Sequence, residues 1–296
     1  MVYLKYLPLL LLVITQFSCI YDDDDDCERP IIHFSYLGDG ISEIFDRKIN
    51  KVDLYIYDAN KNLVQIESIG KDELRLNLEK RLNIPPGEYY VVCIGNSFLD
   101  TEILSENGTK LDNMRVTNPN ILKNKDTQTN DSLYFGYKKI RIPESEHYFE
   151  ANDTIHFVSA HIGMYIEIAG MENYLRDGDN PKISINNLYV GFNFSNEVLN
   201  DVCTYRPHLI YNTEKAMYYT KLNVYRIPYG SLVNIIIESS NKQLFRLNLA
   251  DFLDKYKQFD LSKNELLIAI RIEFKPQSVS IKVPEWIIDD DIHPEL

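Results

Sequence analysis

The chain reads KVDLYIYD at residues 51–58. Val52, Leu54 and Ile56 alternate with polar or aromatic residues, which is the period of two expected of a β-strand with one buried face. The polar cluster at residues 58–62 then ends the run, and apolar residues resume directly after it. This arrangement predicts a β-hairpin, and it sets the pattern for the rest of the chain.

Similar runs recur along the body of the chain. The run YYVVCIGN at residues 89–96 is apolar on both faces and follows a Pro-Pro-Gly break, which predicts a central strand. Residues 251–256 predict one short helix. Further strands are predicted at residues 31–36, 74–78, 133–142, 162–168, 183–192, 231–238, 266–274 and 279–283.

Many short strands, antiparallel by the lengths of their turns, predict an all-β protein with two tandem β-sandwiches. About 278 residues remain after a leader is removed, and 45% hydrophobic content can fill two cores. The polar segment at residues 144–153 is the predicted boundary, giving domains at 30–150 and 151–296. The sequence shows no Gly-rich phosphate loop and no alternation of strands with helices, so it does not predict a nucleotide-binding fold.

The N-terminus has the features of a lipoprotein signal peptide, predicted at residues 1–18. Lys5 precedes the apolar run 9–14, which is too short to span a bilayer, and Ser18 precedes Cys19. Cys19 is therefore the predicted first residue of the mature chain and the site of lipidation. Residues 16 and 17, Gln and Phe, fit a strict lipobox poorly, so a plain secretory signal with an incidental cysteine stays open.

An acidic run lies shortly after Cys19, at the centre of a predicted tether at residues 19–29. Five adjacent like charges predict a solvated, extended segment, which at full extension reaches roughly 35–40 Å from the lipid. The run also resembles the surface-export signal of Bacteroidetes-type lipoproteins, which implies a surface-exposed protein of the cell outer membrane. Its residues are Asp22, Asp23, Asp24, Asp25 and Asp26.

Charge and residue types exclude several functions. A net charge of −13 argues against nucleic acid as a partner. The six histidines show no zinc-ligand spacing and no serine lies in a nucleophile elbow, so we expect no metal, cofactor or catalytic residue. With Cys19 assigned to lipid, the odd remainder permits at most one disulfide, and free, mostly buried thiols are expected at Cys27, Cys93 and Cys203.

The order of several motifs resembles the FimB-like fimbrial anchor and accessory lipoproteins (the fimbrillin-A-associated family) of Bacteroidetes. The resemblance covers nearly the whole mature chain. It rests on Cys19 and Cys27 around the acidic gap, the opening strand 31–36, the runs 51–58 and 86–92, and the closing segments 247–253, 266–274 and 281–286.

This resemblance implies two transthyretin-like β-sandwiches, no catalysis, and assembly with fimbrial stalk or accessory subunits by β-strand exchange. Stalk subunits of the family lose their first strand to a protease that cuts after Arg. Arg29 precedes Pro30 and is a poor site, whereas Arg47 lies just ahead of the strand at 51–58. An uncut chain implies a base anchor or terminator, and a chain beginning at Lys48 implies a stalk or tip subunit.

A lipid-anchored glycan-binding or adhesin module is the alternative function. The chain has 21 tyrosines, and exposed aromatic rings stack on sugars, although strand propensity also explains tyrosine at alternating positions. Ser132 and Thr154 follow aspartate as in Bacteroidetes O-glycosylation sites and are candidate acceptors. Trp286 is expected to close the edge of the second core.

Overall fold

The computed structural model of the chain describes residues 30–105, 108–144, 153–175, 179–240 and 242–288. Its strands are β1 (Ile31–Ser35), β2 (Lys51–Asp58), β3 (Leu63–Gly70), β4 (Glu79–Arg81), β5 (Gly87–Gly95), β6 (Glu102–Ser105), β7 (Met114–Thr117), β8 (Tyr134–Ile142), β9 (Asp153–Ser159), β10 (His161–Ala169), β11 (Lys182–Tyr189), β12 (Gly191–Asn193), β13 (Val202–Tyr205), β14 (Ile210–Asn212), β15 (Met217–Tyr225), β16 (Asn234–Ser239), β17 (Lys242–Asn248), β18 (Leu267–Lys275) and β19 (Ser278–Lys282). The α-helices are α1 (Phe45–Lys48), α2 (Lys71–Leu76), α3 (Pro119–Leu122), α4 (Leu249–Lys255) and α5 (Glu285–Ile288).

The first half of the chain forms a seven-stranded sheet in the order β3-β2-β5-β8-β9-β1-β4. Strand β5 lies between β2 and β8, which confirms the central strand predicted at residues 89–96. Inward-facing side chains of β1, β2, β5 and β9 share one core. The sheet therefore curls around that core. Its two edge strands come together, because Lys80 of β4 forms an ion pair with Glu67 of β3 at 2.9 Å.

The second half consists of two sheets that pack on one core. The five-stranded sheet has the order β14-β15-β10-β18-β19, and the four-stranded sheet has the order β13-β11-β16-β17. Ile162, Met164, Ile166 and Ile168 of β10 are completely buried in this core, as their alternation predicted. The all-β fold predicted from the sequence is confirmed.

Three local predictions were wrong. The strand at residues 51–58 was expected to bury one face, but both faces of β2 are buried, because Tyr55 and Tyr57 pack against Phe194. The leucines at 74, 76 and 78 predicted a strand, but residues 71–76 form helix α2, with Leu74 3% exposed and Leu76 82% exposed. Three alternating leucines are too few to distinguish the two periods. The pairings β1 with β9 and β10 with β18 are parallel rather than antiparallel, because their partners are far apart in the chain and no turn sets their direction.

A third, smaller sheet joins the two halves. Strands β6 and β7 from the first half pair with β12 from the second, in the order β12-β7-β6. Behind it lies a cluster that we call the seam, in which Tyr55 and Phe135 pack with Phe192, Phe194 and Tyr225. The division at residues 150/151 stays a proposal, and β9 extends the pairing of the first sheet to Ser159.

A buried histidine, His161, makes stability depend on pH. Its Nδ1 donates to the carbonyl oxygen of Leu133 at 2.9 Å, and burial lowers its pKa to about 4. The unfolded chain therefore binds a proton between pH 6.5 and 4 that the folded chain does not. We expect this residue to remove about 3 kcal/mol of stability as the pH falls through that range.

The test is urea unfolding at pH 7, 6, 5 and 4. The His161→Gln variant is expected to lose less stability over this range than the wild type. His156 is exposed on β9, and the matched variant His156→Gln should keep the wild-type dependence. Parallel curves for wild type and His161→Gln contradict the prediction.

Candidate assembly site at the first strand

The first described strand is built into the middle of its sheet rather than added at an edge. β1 pairs in parallel with β9, where Phe34 lies opposite Ile155, and antiparallel with β4, where Ile32 lies opposite Lys80. Ile32 and Phe34 are 1% and 3% exposed, whereas their neighbours point outward. The alternating apolar residues of this segment therefore form part of the first core.

Three aromatic rings hold β1 to the residues that follow it. The ring of Phe34 lies 6.0 Å from both Phe45 of helix α1 and Phe157 of β9, and Phe45 lies 5.3 Å from Phe157. Such contacts stabilise a core beyond the burial of their area. Removing β1 therefore removes one ring of this cluster and exposes the other two.

A polar contact that we call the clamp ties the turn after β1 (residues 36–39) to residues 264–265 of the second half. The carboxylate of Asp39 accepts hydrogen bonds from the backbone nitrogens of Asn264 (2.9 Å) and Glu265 (2.8 Å). The Asn264 side chain donates to the carbonyl oxygen of Gly38 at 3.0 Å and accepts from the backbone nitrogen of Ser159 at 2.9 Å.

Glu265 contributes its side chain to the same clamp. Its carboxylate accepts a hydrogen bond from the Tyr36 hydroxyl and forms an ion pair with Lys48 at 2.5 Å. Burial, with the neighbouring Glu265 carboxylate, raises the pKa of the Tyr36 phenol well above its usual range, so that the hydroxyl stays a donor. The clamp thus holds both ends of segment 36–48 to the second half of the molecule. No sequence pattern indicated it, because single polar residues so far apart carry no periodic signal.

The predicted cleavage and modification sites differ in accessibility. Arg47 is exposed, but it lies in helix α1 between the buried Phe45 and Ile49. Ser132 is half-buried and accepts a hydrogen bond from the side chain of Asn223 at 2.9 Å, and Thr154 lies in β9, so glycosylation of either stays a prediction. Other predicted residues lie outside the described part of the chain, namely Cys19, Asp22, Asp23, Asp24, Asp25, Asp26, Cys27 and Arg29.

Two cysteines and the tryptophan also have defined places. Cys93 is buried, Cys203 is half-buried, and both are free thiols, with burial raising the pKa of Cys203 to about 11. Trp286 packs against Tyr165 at 5.2 Å and donates to Glu167 at 3.3 Å. Tyr165 and Glu167 alternate with the core residues of β10, so Trp286 covers the outer face of this sheet instead of closing the core edge.

Within the described ranges, no three or more His, Cys, Asp or Glu side chains converge in a way that suits a metal ion. None of the helices in this part of the chain combines the length and apolar character needed to cross a membrane.

Comparisons with known proteins agree with this fold. Residues 23–291 match the family model for fimbrillin-A associated anchor proteins Mfa1 and Mfa2. No curated protein matches the chain. Among solved structures, a candidate adhesin from Bacteroides ovatus is 16% identical, with a TM-score of 0.72 over 87% of this chain and 93% of that one.

Two further structures are similar. Candidate polysaccharide-binding proteins from Bacteroides thetaiotaomicron are 17% identical, with a TM-score of 0.70 over 87% of this chain and 96% of that one. The fimbrial anchor protein Mfa2 from Porphyromonas gingivalis is 12% identical, with a TM-score of 0.62 over 86% of this chain and 96% of that one. At these identities the structures show a shared fold.

Proposed function

This chain belongs to the family of fimbrillin-A associated anchor proteins, and we propose from that membership that it is the lipid-anchored base of a fimbria. A fimbria-associated or adhesive role follows from the family itself. The proposal adds three points: lipid at Cys19, retention of the first strand, and joining to neighbouring subunits by strand exchange.

The position of β1 inside the first sheet is the observation that carries the proposal. A subunit accepts a partner's strand where its own sheet has a vacant edge or groove. Here β1 fills the position between β9 and β4, and the clamp fixes the turn that follows it. A molecule that keeps this strand can donate a strand to a neighbour but has no vacancy at β1, which suits the end of a fibre.

The N-terminal residues supply the attachment in this proposal. The diacylglyceryl and acyl chains expected on Cys19 each bury many methylene groups, at ~0.8 kcal/mol per group, and two or more chains hold a protein stably on a membrane. The acidic residues at 22–26 serve in this proposal as the tether and surface-export signal that the sequence predicts. The folded body is thereby placed at the cell surface, where fimbrial subunits assemble.

Mass spectrometry of the protein isolated from its native outer membrane tests this proposal. We expect a mature chain that begins at an acylated Cys19 and co-purifies with a fimbrial stalk protein. The Cys19→Ala variant should leave the membrane fraction and release long fibres. Cys203→Ala removes a free cysteine of the folded body instead, and it should leave membrane attachment unchanged. A mature chain that begins at Lys48 overturns the proposal and identifies a stalk or tip subunit.

A further inference from the structure

An open groove in the second half has the composition of a ligand site. It lies between the loop at residues 227–231, helix α4 and the segment 257–261, and encloses about 390 Å³. This volume falls at the small end of the range for ligand pockets. Apolar residues form much of the lining, including Ile227, Leu253 and Phe259, and polar groups reach it from Tyr229, Lys257 and Asp260.

The loop presents an aromatic ring at the rim of this groove. Tyr229 is 72% exposed, although a side chain of this size is usually at least half-buried in a folded domain. A tight turn fixes its backbone, because Gly230 has a φ of +80° and the Ser231 hydroxyl donates to the carbonyl oxygen of Pro228 at 2.6 Å. The Tyr229 hydroxyl donates to Asp260 at 2.8 Å, which fixes the ring as well.

Beside the ring lies a carboxylate that is held in place and ionised. The Oδ1 atom of Asp260 accepts hydrogen bonds from the backbone nitrogen of Ser262 at 2.9 Å, the Ser262 hydroxyl at 2.7 Å and the Tyr229 hydroxyl. These bonds lower the pKa of Asp260 to about 2, so it is an anion at neutral pH. All three bonds end on Oδ1, so the lone pairs of Oδ2 are left for a donor on a ligand.

An ion pair in the lining of the groove, together with Asp260, determines the kind of ligand that the groove accepts. Asp254 and Lys257 form an exposed ion pair at 2.7 Å. Together with Asp260 the groove therefore carries one net negative charge, which repels acidic ligands. A neutral ligand with many hydroxyl groups suits it, because such a ligand donates to the carboxylates and accepts from the lysine.

We propose that this groove binds a neutral sugar residue of a glycan. The C–H bonds on one face of a pyranose ring carry partial positive charge and stack on the negative face of an aromatic ring, here Tyr229. The hydroxyl groups of the sugar hydrogen-bond to Asp260 and to the Asp254–Lys257 pair. The anchor would then hold a fimbria and a neutral surface glycan at separate sites.

An array of neutral mannan, galactan and N-acetylglucosamine oligosaccharides, probed with the full chain, tests the proposal. Titration calorimetry with the best-bound oligosaccharide then measures affinity. We expect Tyr229→Ala to weaken binding about tenfold through loss of stacking, and Asp260→Asn to weaken it by about tenfold or more through loss of charge-assisted hydrogen bonds. Tyr229→Phe keeps the ring and should retain most of the affinity.

Tyr211, which is 50% exposed on β14, provides the matched control. Tyr211→Ala removes an exposed tyrosine that does not line the groove, and this variant should bind as the wild type does. Absence of binding to every neutral oligosaccharide overturns the proposal, as does binding restricted to acidic sugars or an equal affinity for wild type and Tyr229→Ala. Membrane attachment and fibre co-purification do not involve this groove, so failure here leaves the anchoring proposal intact.

Discussion

A chain that begins at Lys48 is expected to lose most of the stability of the first sandwich and to carry an open groove where β1 lay. This truncation reproduces cleavage after Arg47 and removes Ile32, Phe34, Tyr36 and Phe45, all buried in the first core. Complete burial of each such side chain contributes about 1.5–3 kcal/mol, so their joint loss of about 6–12 kcal/mol equals the stability of a typical domain. Both sides of the resulting groove, at β9 and β4, lose their hydrogen-bond partner.

Hydrogen exchange measured by mass spectrometry reads this loss directly. Amides of β4 and β9 should exchange rapidly in the truncated chain, and a peptide of residues 30–47 added in trans should restore their protection. A chain that begins at Pro30 is the matched control, because it lacks the leader and tether but keeps β1. The same peptide with Phe34→Asp should not restore protection. Unchanged protection of β9 in the truncated chain contradicts the prediction.

The second large effect is expected from Gly191→Ala at the seam. A Cβ atom at Gly191 would lie 2.0 Å from the carbonyl oxygen of Val116, which is backbone and cannot move aside alone. Strand β12 must therefore separate from β7, which pairs with it across the two halves. Overpacking of this kind costs about 3 kcal/mol, and for a chain of this size we expect a Tm lower by about 6–12 °C.

Differential scanning calorimetry measures the change. The matched control is Gly70→Ala, because Gly70 is exposed and a Cβ atom there meets no atom within 4 Å. Its Tm should lie within about 2 °C of the wild type, as expected of a surface substitution. Because β12 links the halves, Gly191→Ala should also broaden or split the transition. A Tm equal to that of Gly70→Ala contradicts the account of the seam.

Strand periodicity predicted much of the fold because burial on one face leaves a direct mark on a sequence. The alternation at residues 51–58 and the doubly apolar run at 89–96 predicted β2 and β5 as strands, and β5 as a central strand. The single buried face predicted for β2 was wrong, because Tyr55 and Tyr57 on its other face are buried as well. The alternation fails where it is short, as in helix α2, since three leucines fit either period. The first strand was likewise predicted from its own residues. The sequence did not predict the strands that pair with it, β9 and β4.

The sequence by itself therefore determined many of the strands, the all-β class and the resemblance to fimbrial anchors, because these depend on local composition and on the order of motifs. The tertiary structure alone decided the clamp between Asp39 and residues 264–265, the seam closed by Gly191 against Val116, and the groove at Tyr229. Each of these depends on how segments distant in the chain pack together, and groups that meet across 30 or more residues share no period that a sequence displays.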